Sequence, residues 1–172
     1  MKRLLVFFVV LTAILALVVG CSSSPANDKP EEKTPEVSVE NLGVSVEDLE
    51  DGIYEAQEDE FDSNSGWKYM VTLEVKDGKI VDAVWNGVHK DGGDDKVTQS
   101  INGDYGMVEH GKAIAEWHEQ AALVEDYLLE VQDPTDIEYS NDEGSTDAIA
   151  GATIHVKEFF DLAVKALKSQ NK

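Results

Sequence analysis

Two apolar runs joined by Asp77-Gly78 constrain the fold of this chain more than any other feature. In the first run, residues 67–75, apolar and polar side chains alternate, which indicates a strand with one buried face. The second run, residues 79–89, is rich in Ile, Val and Trp. An Asp-Gly pair between two such runs is typical of a tight antiparallel turn. The sequence therefore predicts a β-hairpin whose buried face needs a covering layer.

The segments around the hairpin supply that layer. Residues 51–57 are predicted to form a short opening strand, and residues 90–108 a long polar loop. From about Glu109 to Val131, apolar side chains recur at three- and four-residue steps, which predicts a helix that ends at Asp133-Pro134. A second apolar stripe predicts a final helix: Val156, Phe159, Phe160, Ala163 and Leu167. The order of elements predicts an α+β fold, with an antiparallel sheet and two main helices packed on one of its faces.

The first twenty residues have the pattern of a processing signal. Lys2 and Arg3 precede an uncharged run from Leu4 to Gly20 that is short for a membrane span. The run ends at Cys21, the only cysteine of the chain, and this ending resembles a bacterial lipoprotein signal, in which the cysteine becomes the lipidated first residue. An uncleaved anchor helix with an incidental cysteine is the alternative. The resemblance implies a protein anchored by lipid to the extracytoplasmic face of the cell membrane.

The next segment, residues 21–50, is rich in Ser, Pro, Glu and Lys and contains no aromatic residue. Such a composition buries too little apolar surface to offset the entropy of ordering, so we expect a disordered tether. Residues 51–172 are enough for one compact domain with its own core. The expected organisation is a signal peptide in residues 1–20, a tether in residues 21–50 and a single domain in residues 51–172.

The charge of the chain excludes several kinds of partner. The formal net charge is −21, and it becomes two units more negative once Lys2 and Arg3 leave with the signal. Because Arg3 is the only arginine, the mature protein has no guanidinium group for bidentate phosphate binding. Its acidity repels nucleic acid. A phosphate must therefore be held by backbone amides, by lysine or by a covalent bond.

The segment Asp147-Ala-Ile-Ala-Gly-Ala-Thr153 places small residues and a hydroxyl before the final helix. A helix N-terminus has free amides and a partial positive charge, which suit a phosphate. Gly151 and Ala152 allow a close approach of the backbone, and we expect Thr153 at the cap or in the first turn. The alternative is that Thr153 only caps the helix and Gly151 only makes the turn.

This segment resembles the flavinylation motif of the FMN-binding domain family, which includes one of the subunits of the sodium-translocating NADH:quinone reductase. Other segments follow in the family's order: residues 51–54, 77–80, 105–107 and 117–120. The chain is most similar to a group of membrane-anchored lipoproteins labelled major membrane immunogen. One departure is Ala150, where the family usually has Ser or Thr.

The resemblance implies that Thr153 carries FMN through a phosphoester made by a flavin transferase. Asp147, Ile149, Gly151 and Ala152 lie in the recognition motif, and Tyr105 and Met107 would contact the flavin. Trp117 and His118 would face the ring, although a His118 that pins a loop or faces the core is the more common arrangement.

The implied function is electron transfer to and from redox partners such as a membrane quinone reductase. The acidity of the chain should lower the reduction potential of a flavin unless a donor or cation lies near the ring. A binding lipoprotein that has lost its flavin is the alternative, and Ala150 favours it.

Other candidate sites are weaker. His118-Glu119 begins like a zinc-protease helix, but position 122 is alanine where the second histidine should stand. Residues 62–66 and 91–95 suggest calcium loops, yet neither has the ligand spacing of an EF-hand. Aromatic side chains at Trp67, Tyr69 and Trp85 are usually core residues, although some of them could stack on a flat ring. No set of residues predicts a catalytic nucleophile or a metal site.

Overall fold

The hairpin predicted from the sequence is present in the structure, a computed structural model that describes residues 46–169. Strands β1 (Gly52–Gln57), β2 (Trp67–Lys76) and β3 (Lys79–His89) form an antiparallel sheet in the order β1-β2-β3. The turn between β2 and β3 has positive φ at both central residues, 52° at Asp77 and 70° at Gly78. This backbone twist matches that of the paired strands, which is why Asp-Gly is favoured there.

Three helices accompany the sheet: α1 (Lys96–Asn102), α2 (Trp117–Val131) and α3 (Lys157–Ser169). Helices α2 and α3 pack on the sheet, α2 against β3 and α3 against β1 and β2. The core contains the inward side chains of β2 and β3 and the predicted helix stripes, of which all but the half-buried Val131 are buried. The predicted α+β class is confirmed.

The prediction of an unbroken loop over residues 90–108 is wrong, because α1 lies within it. The Asp95 carboxylate caps the helix by accepting a hydrogen bond from the Thr98 N–H at 2.9 Å, and Gly103 ends it with a φ of 81°. The helix is short and has no long apolar stripe, so periodicity did not reveal it. Its two caps were the available signal.

The two longer helices both begin later than predicted. Helix α2 begins at Trp117 and not near Glu109, because Glu116 turns its carboxylate to the N–H groups of Met107 and Val108, at 2.9 and 3.0 Å, and so holds the preceding loop. Helix α3 begins at Lys157, so Thr153 is neither its cap nor in its first turn.

The described residues belong to one compact unit. A short 3₁₀ helix spans Val46–Asp48, Leu49 is buried in the core, and the Tyr54 hydroxyl donates to the Glu50 carbonyl oxygen at 2.8 Å. The folded unit thus includes residues before the expected boundary at Asp51. The predicted signal, Cys21 and the tether up to residue 45 lie outside the described residues. Among residues 46–169, no helix has the length and apolar character needed to cross a bilayer.

Backbone groups on the free edge of β3 form hydrogen bonds with side chains of α2 and of Gln132, the residue that follows α2. The Glu125 carboxylate accepts from the Trp85 N–H at 2.6 Å, and the Gln132 amide accepts from the Ile80 N–H and donates to the Ile80 carbonyl oxygen, at 2.8 and 2.9 Å. These bonds replace a fourth strand. Burial raises the pKa of Glu125 to about 7.

Glu125→Gln tests the protonation of this edge contact. The usual carboxyl pKa is 4.5 and the folded pKa is higher, so the folded state binds the proton more tightly and loses stability as pH rises from about 4.5 to 7. The variant keeps an acceptor for Trp85 but does not ionise. We expect it to gain about 1 to 3 kcal/mol over wild type between pH 5 and pH 7.5 in urea unfolding. Glu130→Gln, an exposed position of the same helix, is the control, and a constant difference between Glu125→Gln and wild type would contradict the assignment.

Candidate functional site

A buried lysine lies between four aromatic rings. The Lys96 side chain is at the start of α1, and the residue is only 2% exposed. Its Nζ lies 4.6 to 5.0 Å from the centroids of four rings, Trp67, Tyr69, Tyr105 and Trp117. The ammonium also donates to the Tyr69 hydroxyl. Each ring face attracts the positive charge, most strongly where water is excluded. We call these four rings the aromatic cage.

Different elements contribute to the aromatic cage. Trp67 and Tyr69 lie two residues apart on β2 and so point to the same face of the sheet. Trp117 is the first residue of α2, and the Tyr105 N–H donates to the carbonyl oxygen of Gln99 in the middle of α1. The cage therefore joins the sheet, α1, the loop after it and α2.

Burial in the aromatic cage favours neutral phenols and brings the pKa of Lys96 close to neutral pH. Desolvation lowers the pKa of Lys96 to about 7, while the negative charges of Glu158 and Glu58 act in the opposite direction. Burial also raises the pKa values of Tyr69 and Tyr105 above those of ordinary phenols. The tyrosines are therefore uncharged at neutral pH.

Lys96 borders a cavity of about 590 Å³. The walls have three kinds of side chain: aromatic ones from the cage, acidic ones, and the segment from Thr153 to His155. The cavity is lined by Glu58, Asp62, Asn64, Ser65, Tyr69, Lys96, Tyr105, Met107, Trp117, Thr153, Ile154, His155 and Glu158. A second cavity, of about 470 Å³, lies beside β1 and has no aromatic side chain in its walls.

Thr153 lies on the rim of the first cavity, where Gln120 holds it. The side-chain oxygen of Gln120 accepts from the Thr153 N–H at 2.7 Å and from its hydroxyl at 3.0 Å. Gln120 is fully buried, and its amide nitrogen donates to the Ala115 carbonyl oxygen at 3.0 Å. Thr153 itself is exposed. A buried side chain of α2 thus orients the hydroxyl of an exposed residue next to aromatic walls.

The rest of the predicted motif surrounds Thr153 but does not line the cavity. Gly151 has a φ of 92°, and a Cβ there would lie 3.0 Å from Leu123 Cδ1, so this position favours glycine. Ile149 and Ala152 are buried in the core. Asp147 is exposed and is not among the residues that line the cavity.

Three of the four other predicted flavin contacts border the cavity, namely Tyr105, Met107 and Trp117. Tyr105 belongs to the aromatic cage, and Met107 lies beside it on the wall. His118 is not brought to the cavity: its Nδ1 is 2.9 Å from the buried Ser100 hydroxyl, which also accepts from the His118 N–H. His118 therefore connects α2 to α1.

Sequence reasoning missed three side chains of the cavity that carry charge: Lys96, Glu58 and Glu158. A lysine in an acidic loop is ordinarily a solvent-exposed residue. The available signal was the position of Lys96 directly after Asp95, a residue that can cap a helix. The Asp95 carboxylate caps α1 and also accepts a hydrogen bond from the Asn86 side chain at 3.0 Å, so α1 is fixed against the sheet.

Metal binding has no support in the described residues. In residues 46–169, no group of three or more His, Cys, Asp and Glu side chains is arranged to hold a metal ion. Of the two suggested calcium loops, the first is a turn in which the Asp62 carboxylate accepts from the N–H groups of Asn64 and Ser65, at 3.1 and 2.6 Å. The second ends in the helix cap at Asp95.

Comparison with known proteins places the chain beside two solved structures. No family model and no curated protein matches it. A solution NMR structure of a Clostridium thermocellum protein is 64% identical, with a TM-score of 0.56, over 72% of this chain and 94% of that one. A crystal structure of a Clostridium perfringens protein is 28% identical, with a TM-score of 0.54, over 72% of this chain and 89% of that one. The chain belongs to the same family as the Clostridium thermocellum protein. Both structures come from the Northeast Structural Genomics Consortium under names that state no activity, ligand or partner.

Gln120→Leu tests whether Gln120 holds the rim. The variant keeps the bulk of the side chain but removes the acceptor for both groups of Thr153, so we expect a loss of about 1 to 3 kcal/mol in the free energy of unfolding. Amide hydrogen exchange at Thr153 should become faster. The control is Gln57→Leu at an exposed position of β1, which should change stability by less than about 0.5 kcal/mol. Unchanged exchange at Thr153 in Gln120→Leu would contradict this role.

Proposed function

We propose that this protein is a lipid-anchored extracytoplasmic flavoprotein that carries FMN on Thr153 and transfers electrons. The observation that carries the proposal is the position of Thr153, an exposed residue on the rim of a cavity with aromatic walls. The motif resemblance led to the same residue from sequence alone.

The cavity fits a flavin in size and in chemistry. Ligand pockets commonly measure about 300 to 1,000 Å³ and are lined by apolar and aromatic groups with a few polar ones, and this cavity of about 590 Å³ falls in that range. Tyr69, Tyr105 and Trp117 offer flat surfaces to a flat ring system. The second cavity lacks aromatic walls, which makes it a poor site for such a ring.

The charges of the cavity favour a covalent bond over free binding of the phosphate. Glu58, Asp62 and Glu158 line it, and Lys96 is its only lysine or arginine. These carboxylates repel a phosphate dianion. Helix α3 begins four residues beyond Thr153, so the partial positive charge at the helix N-terminus does not stabilise a phosphate on the Thr153 hydroxyl. An ester bond holds the group in spite of this repulsion.

Thr153 and Gln120 have distinct parts in forming this bond. The Thr153 oxygen would form the new bond to phosphorus as the bond between that phosphorus and the leaving group of an activated flavin phosphate breaks, and the hydroxyl proton would pass to a base of the flavin transferase. Gln120 holds the hydroxyl and the backbone N–H of Thr153 in one orientation before the reaction. Ala150 is exposed in the same turn and has no hydroxyl. Thr153 therefore has the only side-chain hydroxyl of residues 147–153.

FMN supplies one- and two-electron transfer when it is bound. The chain supplies the rest: aromatic side chains that shield one region from water, a cation in the wall, and a rim that is open to redox partners. Cys21 and the tether would hold this domain near a membrane partner such as a quinone reductase. The strong negative charge argues against nucleic acid as a partner.

Intact mass spectrometry of protein produced together with a flavin transferase tests the proposal. We expect wild type to gain the mass of one FMN and a yellow colour that survives denaturation, because the link is covalent. Thr153→Ala should gain neither. The control Thr72→Ala removes a threonine hydroxyl on β2 that does not line the cavity. This variant should be flavinylated like wild type.

Two results would contradict the proposal. An unmodified, colourless wild-type protein would favour the alternative of a binding lipoprotein without redox function. A flavin adduct that persists in Thr153→Ala would assign the bond to another side chain.

A further inference from the structure

Lys96 is a buried residue whose hydrogen-bonding capacity is only partly used within the described residues. An ammonium group has three N–H donors, and in residues 46–169 its one hydrogen-bond partner is the Tyr69 hydroxyl. No carboxylate of this part of the chain lies within ion-pair distance of its Nζ. Buried charges in proteins are ordinarily paired, because an unpaired one is costly.

The aromatic cage keeps the ammonium in place without neutralising it. Four ring faces attract the charge, but rings accept no strong hydrogen bond from the remaining donors. The carboxylates of Glu58 and Glu158 line the same cavity and favour the charged form from a distance. The result is a lysine held at the cavity wall, charged below a pH of about 7, with N–H donors that have no acceptor among the described residues.

We propose that Lys96 is the charge partner of the ligand in this cavity, and that it stabilises the flat ring system when that ring is reduced and electron-rich. The inference rests on the proposed function. Lys96 would then be the cation near the ring that is the exception to the expected lowering of the reduction potential by this acidic chain.

The charge balance of the step is simple. Two electrons from a low-potential donor, together with one proton from solvent, leave the ring with one negative charge more than before. The positive charge of Lys96 offsets that negative charge without any further ion entering the cavity. The contact between the Lys96 ammonium and the ring is charge-assisted and lies in a water-poor site. It is therefore stronger when the ring is reduced than when it is oxidised.

Apart from the exposed His155, whose Nε2 lies 3.7 Å from a Glu143 carboxylate oxygen, the other titratable groups that line the cavity are acidic or phenolic and do not provide the same compensation. Glu58 and Asp62 follow β1, and Glu158 lies on α3; all three are acidic and oppose the added negative charge. The phenols of Tyr69 and Tyr105 stay neutral because burial raises their pKa values. Lys96 is therefore the residue whose removal should matter most.

The test compares the reduction potentials of flavinylated wild type, Lys96→Met, Lys96→Arg and Lys68→Met. Methionine has a similar length and packs well against aromatic rings, so Lys96→Met removes the charge and keeps the cage filled. Lys96→Arg keeps the charge. Lys68→Met is the matched control, because Lys68 also lies over a ring, 5.1 Å from the Phe61 centroid, but does not line the cavity.

We expect Lys96→Met to shift the equilibrium for reduction at least tenfold towards the oxidised flavin, which for a two-electron couple is about 30 mV to more negative potential. Lys96→Arg and Lys68→Met should stay near wild type. A second readout is the NMR titration of the Lys96 side chain, whose pKa should rise when flavinylated wild type is reduced with dithionite.

The outcomes separate the two proposals. A wild-type protein without attached flavin overturns both. A flavinylated Lys96→Met with the potential of wild type, and a Lys96 pKa unaffected by reduction, overturns this inference and leaves the proposed function standing. If Lys96→Met does not fold, as judged by circular dichroism, Lys96→Gln and the titration of wild type decide: an unchanged pKa on reduction overturns the inference.

Discussion

The contact between the Lys96 ammonium and four aromatic rings is the interaction on which the rest of the site depends. It draws together β2, the start of α1, the loop after α1 and the start of α2. Burying a lysine costs free energy, and the cage offsets this cost only where all four rings converge. The same convergence leaves a cavity open beside the cage, so the feature that holds these elements together also gives the site its aromatic walls and its positive charge.

The rim of that cavity is ordered by a second, independent contact. Gln120 lies one helical turn after Trp117 on α2, so the helix that contributes a cage ring also contributes the acceptor for Thr153. A single helix thereby fixes the position of the Thr153 hydroxyl relative to the aromatic walls. The acidic side chains around the cavity make noncovalent phosphate binding unfavourable, and attachment through Thr153 is the arrangement that both contacts support.

Sequence patterns predicted what depends on local chemistry. The hairpin followed from alternation and from Asp77-Gly78, and the buried stripes of α2 and α3 followed from helical period, because both are properties of neighbouring residues. The start of α3 could not be predicted in the same way, because the backbone before it is held by a long-range contact: the Thr153 N–H donates to the Gln120 side chain, thirty-three positions away. The burial of Lys96 was equally hidden, since only the folded chain brings rings from distant segments around it.

The central claim is that a flavin attached to Thr153 lies against the aromatic walls of this cavity. The most direct measurement is a set of nuclear Overhauser contacts in flavinylated protein between protons of the flavin ring and the side chains of Tyr69, Tyr105 and Trp117. The account predicts contacts to at least two of these three side chains, with changed chemical shifts for the Trp117 indole. Ring resonances that show no contact with any of them, together with unchanged Trp117 shifts, would mean that the ring lies in solvent and would contradict the account.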